Sequence, residues 1–133
     1  MQQMRQSDTA ERENIDMYTD KDNKTIGILG TDYNIKFVLE EELEKRNIDG
    51  YCDVSTKSIA VGVFVPAEGK LEDLHAHQKK VLRHEIIHAF MYESGLAECS
   101  GCVDNWAQNE TMVDYFAFQH NKIHAAFEQA GAL

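Results

Sequence analysis

The spacing of the apolar residues changes once along this chain, and that change divides the fold. Upstream of Pro66, the only proline, short β-rich runs alternate with turn residues: TIGIL, GTD and YNIKFVL, then YCDV, STK and SIAVGVFV. Runs of this length, rich in Ile, Val, Phe and Tyr, read as strands, and the short breaks between them read as hairpin turns. The segment from Ile59 to Val65 is the strongest strand. From about Leu71 the spacing becomes helical: Leu74, Leu82, Ile86, Ala89 and Phe90 recur on one side, and Gly95 supplies a left-handed stop. A second helix is expected to begin near Asn105, capped by its own side chain with Gln108 completing a capping box, and to run through at least Gln119. Lys122 to Gln129 reads as a third. Strands followed by helices give an α+β domain: a small, mostly antiparallel sheet from Thr25 to Val65, packed on one long helix and followed by one or two more.

At 133 residues, 43% of them apolar, the chain is long enough to bury a core without disulfide staples. Residues 1 to 24 are strongly polar, with only Ile15, Met17 and Tyr18 among scattered apolar groups, and read as a mobile arm ahead of a single domain spanning 25 to 133. The acidic stretch EEELEKR, Glu40 to Arg46, reads as a solvated face or as one or two helical turns. With 13 Lys+Arg against 23 Asp+Glu, the net charge of −10 disfavours nucleic acid and anionic membranes as partners. No apolar run approaches the ~20 residues of a spanning helix, and the first residues lack a secretory apolar segment, so a cytoplasmic location is expected. Three cysteines, Cys52, Cys99 and Cys102, read as reduced thiols rather than as a disulfide framework.

Within the long helix stands His84-Glu85-Ile86-Ile87-His88. Residues four apart lie one above the other on a helix, so both imidazoles can approach one ion while Glu85, turned about 100°, reaches a water beside it. Composition alone gives roughly 0.03 such matches per chain, so the pattern carries information. Further along, Asn109-Glu110 is followed by Asp114, and Glu110 and Asp114 again share a helix face. A catalytic zinc takes three protein ligands and keeps one position open, and two imidazoles with one carboxylate satisfy that requirement.

HEIIH and NETMVD together resemble the gluzincin metallopeptidases, whose thermolysin-like members carry H-E-x-x-H and, on the next long helix, N-E-x-x-x-D. The match is firm from about Val81 to Phe116. Beyond it, the small size and the strands preceding the helix are similar to minimal gluzincins and to HExxH proteins of bacteria and phages, including the ImmA/IrrE type. The resemblance implies a zincin-like fold and one zinc ion per chain. It makes His84, His88 and Glu110 the metal ligands and Glu85 the general base, with Asp114 and Asn109 as partners that fix the outer nitrogens of the histidines. It also implies that a strand over the cleft binds the backbone of a peptide or protein substrate, for which Ile59, Ala60, Val61, Gly62 and Val63 are the candidates.

Thermolysin-like enzymes place a Tyr or His against the developing oxyanion, and Tyr92, Tyr115, His120 and His124 are all open for that role. His75 and His77, two apart, point in different directions and read as surface residues. Cys99-Ser100-Gly101-Cys102 is a lone C-x-x-C, for which a second metal is the weaker reading. The expected function is zinc-dependent hydrolysis of peptide bonds. The alternatives are a latent or inactive zinc-bearing regulatory module on the same scaffold, for which a retained Glu85 has no structural use, and a metal hydrolase acting on other substrates.

Overall fold

The computed structural model describes residues 17–69, 72–100 and 106–133. Strands β1 (Lys24–Ile28) and β2 (Thr31–Leu39) form an antiparallel hairpin closed by Ile28 opposite Thr31. Its two-residue turn is Leu29-Gly30, both left-handed (φ 49° and 87°), as the right-handed twist of a tight hairpin requires. The acidic stretch does form a helix, α1 (Glu40–Glu44), anchored by Leu43 at 3% exposure. Strands β3 (Gly50–Asp53) and β4 (Ser58–Val63) form the second antiparallel pair.

The order across the sheet is β1-β2-β4-β3, and β2 and β4 run parallel, from Asn34 opposite Ser58 to Leu39 opposite Val63. The sheet is therefore mixed, with a parallel pair at its centre. The expectation of a mostly antiparallel sheet misses this because the chain crosses by way of α1 to the far edge before β4 returns to the middle, and no short-range signal records that crossing. The same topology corrects the reading of Ile59 to Val63 as a substrate-binding edge. Strand β4 is paired on both sides, so its backbone groups are already used, and β3 is the edge. Consecutive residues Ile59, Ala60 and Val61 are all fully buried, so both faces of β4 are covered.

Helix α2 (Leu74–Glu93) starts where the Asp73 carboxylate accepts a hydrogen bond from Ala76 N, and it ends before Gly95 at φ 84°. Its buried stripe is Leu74, Gln78, Val81, Glu85 and Ala89. Leu82 and Ile86 pack only partly against the core, and Phe90 is exposed. Gln78, fully buried, donates from Nε2 to Tyr18 O (2.9 Å) and Gly62 O (3.0 Å), and its Oε1 accepts from Tyr18 N (2.9 Å).

These bonds correct the boundary of the N-terminal arm. Met17 is 5% exposed in the core, the Tyr18 ring lies 5.3 Å from Phe37, Thr19 caps the turn Asp20–Asp22, and Asn23 Oδ1 accepts from Phe37 N. Residues 17 to 24 thus belong to the domain, while residues 1 to 16 lie outside the described residues. A count of apolar groups misses this, because two well-placed side chains and one buried amide suffice to fasten the segment.

After the short α3 (Leu96–Cys99) and a 3-10 turn (Trp106–Gln108), α4 runs unbroken over Glu110–Gln129. The expected third helix is thus the second half of α4, since nothing between Gln119 and Lys122 interrupts the ladder. The cap is Asn109, whose Oδ1 accepts from Met112 N at 3.1 Å; Asn105, expected to serve, lies outside the described residues. Gln108 instead donates to Ala97 O. No helix among the described residues is long and apolar enough to cross a membrane.

Candidate metal centre

Helix α2 turns one face to the sheet and another to α4. Glu85 and Ala89 lie on the sheet-facing stripe, and His84 and His88, each one residue earlier, are rotated toward α4. There Glu110, the first residue of α4, meets both. His84 Nε2 is 2.9 Å and His88 Nε2 3.1 Å from its carboxylate, and the two Nε2 atoms are 3.1 Å apart. Donor atoms at the corners of one zinc tetrahedron are separated by about 3.3 Å, given bonds of about 2.0–2.1 Å. The three side chains therefore fit a single ion, and they form the only such His/Cys/Asp/Glu group among the described residues.

The outer nitrogen of His84 is also accounted for. Asp114, one turn along α4 from Glu110, places Oδ1 3.3 Å from His84 Nδ1. A carboxylate there favours the proton on Nδ1 and leaves the Nε2 lone pair facing the ligand set. Lys80 Nζ sits 3.1 Å from the same oxygen. Burial pushes the Asp114 carboxyl up, but the bonds from Lys80 and His84 outweigh it and hold the carboxyl below its ordinary value. Asn109 does not join Asp114 in this role, because its side-chain oxygen is committed to the helix cap.

Glu85 is 7% exposed and borders the cleft between α2, β3 and α4. Burial pushes its carboxyl up to about 7, with His84 opposing and Glu110 adding to the shift. The close approach of β3 encloses it. A Cβ at Gly50 would lie 2.7 Å from Ala60 O and 2.8 Å from Val81 Cγ1, so any larger residue would push the edge strand away from α2. The cleft has a volume of about 830 Å³.

Of the four residues open for the oxyanion, Tyr92 borders this cleft, with Lys57 Nζ 4.9 Å above its ring. Tyr115 is 56% exposed, and His120 and His124 stack on each other along α4 away from the cleft. His75 and His77 depart from the surface reading. His77 lines the cleft with Nε2 2.9 Å from Asp49 Oδ2, and the His75 ring packs edge-on against Tyr18 with a buried Nδ1. Cys52 is half-buried, and burial together with Glu85 and Asp53 pushes its thiol up to about 12, which leaves it protonated and unreactive. Cys99 is exposed, and Cys102, with it the C-x-x-C pair, lies outside the described residues.

Sequence reasoning missed Gln78 and Gly50. Polar and small residues carry no periodic signal, and each matters only through partners distant in the chain. The chain matches no protein-family model, no curated protein and no solved structure.

Proposed function

We propose that the chain is a zinc-dependent peptidase with a zincin-like arrangement of edge strand and active-site helix. The observation that supports this reading most is the convergence of His84, His88 and Glu110 from two helices beside a buried Glu85. Zinc held there would supply Lewis acidity, bringing a water's pKa to near neutrality and polarising a carbonyl. The chain's own groups do the rest. Asp114 keeps His84 in one tautomer and ring orientation. Glu85, buried beside the ligand set, is placed to accept a proton from a water there and return it to the leaving amine. Tyr92, one turn beyond His88, is the candidate donor to the carbonyl oxygen as it gains charge. The free edge of β3, rather than β4, is available to pair with an extended substrate.

The test combines elemental analysis with Glu85→Gln. The wild-type chain is expected to carry one zinc and to cleave unstructured peptides; Glu85→Gln should keep the zinc and lose about 10²- to 10⁴-fold in kcat. Equal turnover would remove Glu85 as the base. A chain that holds zinc and cleaves nothing would favour the regulatory module, and one that takes up no zinc would end the reading.

A further inference from the structure

Outside the metal group, three basic side chains border the cleft: Arg46, His77 and Lys80. Two are committed, His77 to Asp49 at 2.9 Å and Lys80 to Asp114 at 3.1 Å. Arg46 meets no carboxylate among the described residues. Its guanidinium carbon instead lies 5.0 Å from the centre of the Tyr51 ring. This cation–π contact uses the charge of the guanidinium but none of its N–H donors, a fork matched to a carboxylate. An exposed arginine at the border of the cleft with no carboxylate partner among the described residues stands out in a chain with 23 acidic residues against 13 basic ones.

The strand beneath Arg46 determines what can reach it. Tyr51 lies on β3, the edge of the sheet, to which an extended peptide can add through main-chain hydrogen bonds. Side chains alternate along a strand: Gly50 faces Val81 and Glu85, and its neighbour Tyr51 faces the other way, toward Arg46. A strand laid against β3 would likewise send alternate side chains toward Glu85 and toward Arg46. The far end of the cleft, where α3 follows α2, presents Glu98 instead, so an acidic side chain is favoured at one end only.

We infer that this cleft takes peptides bearing an Asp or Glu beside Tyr51, with the carboxylate gripped by Arg46. The substrate class rests on the peptidase reading above, whereas the carboxylate site can be tested without turnover. The probe is a fluorescein-labelled series of Gly/Ala decapeptides with a single Glu moved along the sequence, each paired with its Gln counterpart. Binding is measured by anisotropy to the zinc-loaded Glu85→Gln chain. Glu at one position should tighten Kd about tenfold over Gln. Arg46→Ala should bring that ratio to about one, and Arg46→Glu should make Lys preferred over Glu at the same position. Unchanged zinc content and far-UV CD confirm that each variant is folded. Equal affinities for Glu and Gln everywhere, a preference that survives Arg46→Ala, or no binding by any peptide would overturn the inference. If the preference holds and depends on Arg46 while the wild-type chain leaves the same peptides uncut, the Arg46 site stands and the peptidase reading falls.

Discussion

The two sides of α2 are built on opposite principles. Toward the sheet it meets a filled interior in which Tyr33, Ile59 and Val61 have no exposure. Toward α4 only Val113 and Ala117 are buried residues of that helix, Arg83 Nε donates to Ala117 O, and beside them stands the polar group around Glu110, whose side chain is 70% exposed. Packing comes from one side and the candidate metal group from the other. His84 and His88 keep their geometry because the sheet fixes the helix that carries them, and the face they present stays open because little apolar surface closes it.

That division can be broken from the sheet side. Ile59→Ala removes a fully buried side chain from the central strand and should cost about 4 kcal/mol in denaturant unfolding, with donor spacing preserved in whatever fraction remains folded. Glu85 sits on the boundary, and there the expected sign reverses. In chelator-treated protein its carboxyl moves from an ordinary 4.5 to about 7, so the folded state binds the proton more tightly than the unfolded one. Its contribution to stability is full below pH 4.5 and is lost as pH rises through 7. Glu85→Gln should remove this slope and stabilise the metal-free chain at pH 8 by on the order of 3 kcal/mol, measured by urea unfolding across pH. The smallest effect belongs to the α4 side alone. Asp114→Asn should weaken zinc binding roughly 10- to 100-fold in chelator competition while the metal-free melting temperature stays within about 2 °C.

The legibility of the sequence follows the same line. The spacing of HEIIH and of Glu110 to Asp114 is set by one helix geometry, so both motifs could be placed on helix faces directly, and the structure brings His84, His88 and Glu110 together. The order of strands could not be read, because the parallel pairing of β2 with β4 joins residues 24 apart through a crossover that leaves no local trace. Met17 and Tyr18 looked like isolated apolar residues in a polar arm, and they fit only into a space made by Gln78, Phe37 and Phe64 together. The cap of α4 is Asn109 rather than Asn105, four residues earlier, and the sequence alone offers the same residue type at both positions.

Glu110 occupies the first position of α4, held by a single asparagine cap, whereas both histidines sit in the middle of a 20-residue helix packed on the sheet. Helix ends open far more often than helix centres. An ion held by this trio would therefore be free to depart when one turn of α4 unwinds, without any wider unfolding, and two imidazoles would stay in place to recapture it. Residence time and fold lifetime would then be separate quantities, the first governed by a few backbone bonds at Asn109 and the second by the sheet.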